Sequence, residues 1–297
     1  MLNNGSSPIM TNCTFTGNSA SSNGGGMHNV TNSSPTVTNC TFSGNTAVND
    51  GGGMRNHSSS PTVTNCTFSN NKADAGGAII NEYYSHLTAI NCTFTNNKAI
   101  GNGGGILNRD HGYQTVTNCI FTNNSAIWGG GIYNLTNSNA TVTNCTFTGN
   151  SASTTGGGMM NNVSSTSAVT NCIFWANTPN QIFNYDGHSP ATVTYSDVKG
   201  GFGGTGNINA DPLFVDAIGG NLRLSSGSPC IDKGSNAGVP SGITTDLDGN
   251  PRVLDGDSNG TVIVDMGAYE YLITTGNSLE RNLEAYCVLA SHWLEAP

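Results

Sequence analysis

Charge is scarce in this sequence. Asp, Glu, Lys and Arg make up 9% of 297 residues, 9 of them basic against 18 acidic, for a net charge of −9. Nucleic-acid binding needs clustered Lys and Arg against the phosphates, so that class of partner is excluded. No apolar run approaches the roughly 18–20 residues of a membrane helix. The opening "MLNNGSSPIM" has neither the basic nor the apolar segment of a secretory signal. It starts inside a phrase that recurs downstream, which reads as a piece of a longer parent or a misplaced start. The nine cysteines include no C-x-x-C pair and no Cys/His spacing of a zinc site.

What the chain has is repetition. "NC" falls at Asn12/Cys13, Asn39/Cys40, Asn65/Cys66, Asn91/Cys92, Asn118/Cys119, Asn144/Cys145 and Asn171/Cys172, with cysteine spacings of 26 or 27 residues. A glycine phrase travels with it: "GGGMHN", "GGGMRN", "GGAIIN", "GGGILN", "GGGIYN" and "GGGMMN". A third phrase is the turn "GNSA", "GNTA", "NNKA", "NNKA", "NNSA" and "GNSA". Three phrases locked to one period mark a solenoid in which each repeat is one coil.

β-Branched residues alternate through every copy, and the glycine triplets would cost a helix interior about 1 kcal/mol each. The coils are therefore short parallel strands joined by turns. Val37, Cys40 and Phe42 are expected to point inward, with Asn39 in left-handed conformation at a bend. Stacked Asn side chains at that bend should bond from coil to coil inside the turn. A second column, Asn29, Asn56, Asn81, Asn108, Asn134 and Asn161, should do the same beside Met27, Met54, Ile79, Ile106, Ile132 and Met159. Seven cysteines at one phase predict a stack of reduced, buried thiols; Cys230 and Cys287 receive no role. "NCT" matches the glycosylation sequon five times. With these Asn expected to face inward, the matches read as coincidence.

At these phrases, over roughly residues 8–200, the chain resembles right-handed parallel β-helix proteins of the pectate-lyase-like superfamily. "NCTFTGNSA…GGGM" is most similar to the repeats of polymorphic outer-membrane proteins. The segments "DPLFVDAIGGNLRLSSGSPCIDKG", "DLDGNPRV" and "VDMGAYEY" resemble the choice-of-anchor Q region that closes secreted bacterial β-helix proteins. That resemblance implies a terminal coil plus cap, on a protein exported to the cell surface. The resulting division is β-helix repeats over 1–200, terminal coils and cap over 201–272, and a tail over 273–297. In the tail, residues 277–296 read as an amphipathic helix, capped by Asn277 and Glu280. "LEAYCVLASHWLE" resembles the second helix of a dockerin-like tail, without the Asp-rich loop that should precede it. The fold class is all-β: a single-stranded parallel β-helix of at least seven coils, with a C-terminal cap and a short terminal α-helix. No oligomer is implied, though an N-terminal coil edge could be continued by missing coils.

Three functional readings follow. Charged and aromatic residues gather just after the glycine strand of three neighbouring coils: Arg55 and His57, then Glu82, Tyr83, Tyr84 and His86, then Arg109, Asp110, His111 and Tyr113. These loops would form one patch on a scaffold for adhesion or glycan contact, and loop tips are also where a solenoid keeps its polar residues anyway. The superfamily resemblance implies an enzyme alternative, a polysaccharide lyase or an inverting glycosidase with Glu82 and Asp110 as acid and base. A third reading is ice binding by the outward pairs Thr36/Thr38, Thr62/Thr64, Thr115/Thr117 and Thr141/Thr143, with Thr88 opposite Ile90. Separately, "DGDSNG" spaces Asp255, Asp257 and Asn259 like a calcium loop, with Asp265 near the closing position. A solvated acidic turn is the simpler reading of the same residues.

Overall fold

The computed structural model describes residues 1–273. Each coil carries four strands, seen in the third as Thr62–Thr64, Thr67–Ser69, Lys72–Ala75 and Ile79–Glu82. Successive coils stack in parallel register into sheets I, II, III and IV, of eight, eight, six and eight strands. Phe68 pairs with Phe42 and Phe94, and Asn81 with Asn56 and Asn108, so like residues sit directly above one another. The chain is a parallel β-solenoid of about eight coils.

The corners explain the phrase. Asn39, Asn65, Asn91, Asn118, Asn144 and Asn171 all hold φ between 50° and 55°, the left-handed conformation Asn tolerates best after Gly. Their side chains nevertheless point outward. Asn39 and Asn65 are exposed, and Asn65 Nδ2 donates to Asn39 Oδ1 at 3.1 Å on the outer surface. The expected inward ladder at this corner is thus an outer one. The inward position belongs to the cysteine, because a left-handed residue reverses which side of the chain the next side chain faces. The inward-facing ground for setting the sequons aside falls with it: Asn12, Asn39 and Asn65 lie open to solvent.

Inside, columns of like residues run along the stack. Phe15, Phe42, Phe68, Phe94, Phe121, Phe147 and Phe174 stack face to face with centroids 4.3–5.2 Å apart. The cysteines are free thiols, and the backbone N–H of one coil donates to the sulfur of the next, as from Cys92 to Cys119 Sγ at 3.3 Å. Burial raises the Cys119 and Cys172 thiols well above their ordinary pKa. The glycine-strand Asn column forms as expected, unbroken from Asn3 to Asn184 with rungs of 2.7–3.1 Å. A further ladder, at the second residue of the "GN/NN" turn, was not foreseen. Asn97 Oδ1 accepts from Asn71 N and Nδ2, while its own Nδ2 donates to Asn124 Oδ1 and Phe68 O. These bonds satisfy polar groups that would otherwise sit unpaired in the core.

The stretch expected as terminal coil and cap divides in two. Phe202 packs against the open end of the core. From Asp211 onward the chain instead turns back along the outer face of sheet II. Leu222 and Ala268 pack on Ile120; Leu224, Cys230, Ile231 and Met266 pack on Ile173. Beneath this flank Arg252 is 1% exposed; its Nη2 donates to Asp265 O and Gly267 O, and its Nε lies 3.2 Å from Glu270 Oε1. The anchor-like segments "DLDGNPRV" and "VDMGAYEY" therefore knit to each other. The tail helix expected over 277–296, and Cys287, lie outside the described residues.

Candidate functional site

On sheet IV the residues between Met/Ile and Asn, and those after Asn, face outward. Gly51, Gly76, Gly103, Gly129 and Gly156 take φ of 64–71° and fold sheet III toward that face. This concave bend brings Asp50, at the end of its coil, against Arg55 and Arg109.

The centre of the cluster is Glu82, whose exposure is 0%. Arg55 Nη2 pairs with its Oε1, Arg109 Nε donates to its Oε2 at 2.7 Å, and His57 Nδ1 lies 3.2 Å from Oε1. Arg109 Nη2 also donates to Asp50 Oδ2 at 3.1 Å. Burial raises the Asp50 carboxyl pKa despite Arg109. At the far edge, Arg55 Nη1 donates to His28 Nε2 at 2.6 Å. Burial and the neighbouring Arg55 guanidinium push His28 down to about 4, which keeps its ring a neutral acceptor. Beyond Glu82 the same face turns apolar, with Ile80, Leu107, Tyr133 and Met160 buried against Trp128, Leu135 and Phe183.

The corner between sheets IV and I stands over this cluster. It uses two consecutive left-handed residues in several coils: Thr31/Asn32, Tyr83/Tyr84, Asp110/His111 and Thr136/Asn137. A bulky residue in this region is strained, at about 1–3 kcal/mol each. Tyr83 and Tyr84 bear that cost twice, at φ of 51° and 63°. Tyr84 is 70% exposed and lies parallel to His111, with centroids 4.8 Å apart. Tyr83 leans on His57 at 4.5 Å, and His86 on Tyr113 at 6.1 Å. The result is an exposed ledge of rings on a fixed ionic base.

The structure thus separates the expected patch into two layers. Arg55, His57, Glu82 and Arg109 form the base; Tyr83, Tyr84, His86, His111 and Tyr113 form the ledge. Asp110 stands at the rim, its Oδ2 3.8 Å from Arg109 Nε. Glu82 has no exposed surface and both its oxygens are paired, whereas the acid or base of a glycosidase must reach the glycosidic oxygen or a water. Asp50 and His28 belong to the base and were not foreseen. For Asp50 the signal was its place immediately before a glycine bend.

The acidic loop is assembled differently from the expectation. Carboxylate oxygens of Asp232, Asp255 and Asp257 come within 4.8 Å of one another, so Asp232 stands where Asp265 was expected. Asp265 is taken up by the N–H groups of Asp232 and Tyr271, at 2.7 and 2.6 Å, and Asn259 Oδ1 by Thr261 N. Asp232 and Asp255 each accept two backbone N–H bonds, and Asp257 accepts one. Calcium takes six to eight oxygens, and these three carboxylates would supply part of such a set, with backbone carbonyls or water for the rest. On sheet I the threonine columns are in register as expected. Thr117 and Thr143 are buried beside the flank, which shortens the free array.

Fold and site together define a class: a rigid parallel β-solenoid whose distinctive residues lie on its outside. The chain belongs to the family described as the right handed beta helix region, which it matches over residues 1–116 and 91–213. No curated protein matches it. Among the described residues no helix is long and apolar enough to cross a membrane.

Proposed function

We propose that this chain is an extracellular scaffold that contacts glycans through the ring ledge of Tyr83, Tyr84, His86, His111 and Tyr113. The single observation that carries the reading is the exposed tyrosine pair in left-handed backbone. Coils two steps away on either side place Thr31/Asn32 and Thr136/Asn137 at the same corner, so two tyrosines there are the locally costly choice. Strain retained at an exposed aromatic surface points to use of that surface. Flat rings offer the faces of sugar rings an apolar platform, and the paired charges beneath keep the ledge from collapsing onto the coil. Asp110 and His111 add polar partners at the rim. Adhesion to a polysaccharide surface needs no chemical step, consistent with the closed state of Glu82.

The test is affinity electrophoresis of the parent and of Tyr84→Ala and Tyr113→Ala in gels containing a panel of neutral polysaccharides. Retardation by at least one polysaccharide, weakened tenfold or more in either variant, is the expected result. No retardation by any of the panel, or retardation unchanged by both substitutions, would overturn the ledge. Release of reducing ends from the same panel would favour an enzyme reading instead.

A further inference from the structure

A second feature lies on the outer face of sheet III, around the bend from the ledge. One register column there runs Ser19, Thr46, Lys72, Lys98, Ser125, Ser151 and Thr178. Every coil offers a hydroxyl except two adjacent ones, which offer lysine. On neighbouring parallel strands these residues are about 4.8 Å apart, and like charges directly opposite one another destabilise a sheet. Among the described residues no carboxylate pairs with either. Asp74, two residues beyond Lys72, lies outside the groove lining. The chain as a whole is acidic, so this juxtaposition of two of its nine basic residues runs against its composition.

The two lysines also line a groove. Its volume is about 530 Å³, and its wall is completed by the Ser125 and Ser151 column and by Ile100 and Ile127. Ile100 is 56% exposed and Ile127 40%. Along the solenoid axis two positive charges are thus followed by hydroxyls in one column, and exposed apolar surface runs beside that column.

We propose that this groove binds an anionic polysaccharide, its carboxylate or sulfate groups on Lys72 and Lys98, its hydroxyls on Ser125 and Ser151, and its ring faces on Ile100 and Ile127. A lysine ammonium is a mobile point charge with three donors and suits anionic groups whose spacing is not rigidly matched. An anion between Lys72 and Lys98 relieves their mutual repulsion, which gives the unfavourable pair a reason to exist. Hydroxyl and apolar strips favour a sugar chain over a nucleic acid, for which two cations on an acidic protein are too few. The site stands independently of the ring ledge.

The test uses the full chain and Lys72→Ser/Lys98→Ser, which restores the column's own hydroxyl and should fold at least as well. Binding of an alginate oligosaccharide, dextran sulfate, uncharged dextran and single-stranded DNA is measured by calorimetry at low and at physiological salt. The expected result is binding of alginate or dextran sulfate that weakens with salt and drops at least tenfold in the double variant, with unchanged or higher thermal stability. Retention of the parent by neutral glycans at the ledge should be unaffected by the lysine change, so the two sites fail separately. Equal binding of uncharged dextran, equal binding of DNA, no anion binding, or a double variant that binds as the parent does would each overturn the assignment. So would a clear loss of stability on removing the lysines, which would make them structural.

Discussion

At the residue scale, Glu82 shows how burial decides what a carboxylate can do. It follows directly on an inward Asn and faces outward, yet the bend of sheet III and the two flanking arginines leave it no contact with water. Breaking a buried pair by removing one partner leaves the others desolvated and uncompensated, at about 3–5 kcal/mol. Arg55 and Arg109 keep part of their side chains exposed, 13% and 28%, which places the expectation near the lower end. Glu82→Gln should therefore destabilise the fold by about 3 kcal/mol in urea unfolding. A loss below about 1 kcal/mol would mean that the cluster behaves as surface ion pairs do.

At the scale of the element, the same glycine letter serves two different needs. Gly104 lies where coils approach closely: an added methyl would stand 2.5 Å from Gly130 O and 2.6 Å from Ser125 O. Those are backbone atoms held in register on both sides and cannot yield. Gly44 lies at the corner after sheet II, with φ of 63° and nothing within 4 Å of an added methyl. Asn70, Asn96 and Asn123 occupy the same corner in later coils with φ of 55–56°. Gly104→Ala is expected to cost about 3 kcal/mol or more by overpacking, and Gly44→Asn to stay within about 0.5 kcal/mol. Melting temperatures of the two variants check this. Equal losses would show that conformation, and not contact, sets the cost at both sites.

For the molecule as a whole, the flank closes sheet II over buried carboxyls. Asp197 accepts an N–H bond from Ala210 and faces the Cys230 thiol, and the Asp211 charge adds to the upward push on its carboxyl. Burial raises its pKa from 3.8 to about 6. An acid raised in the folded state binds more protons folded than unfolded. Its favourable contribution is complete below the unfolded value and is lost as pH rises through about 6. That loss is at most about 3 kcal/mol. Asp197→Asn removes it, so the variant should gain on the parent as pH rises from 4 to 7, in paired unfolding curves that cancel the similar contribution of Asp265. A constant difference between the curves across that range would refute the assignment.

Period, strand phase and inward set were legible from the sequence, because each depends on residues a few positions apart and is restated in every coil. Val37, Cys40, Phe42 and the Asn29 column needed only alternation and the 26-residue repeat to be placed. Even the flank left a trace: "NCIF" replaces "NCTF" at Ile120 and Ile173, the outward positions the flank covers. What only the tertiary structure decided lay where the repeat meets something else. The left-handed corner turned the Asn39 column outward, and the glycine bend delivered Asp50 to Arg109, 59 residues away along the chain. The same convergence sealed Glu82. Local propensity fixes a coil; how one sheet leans on another, and what then loses contact with water, depends on packing between residues that no short stretch of sequence contains.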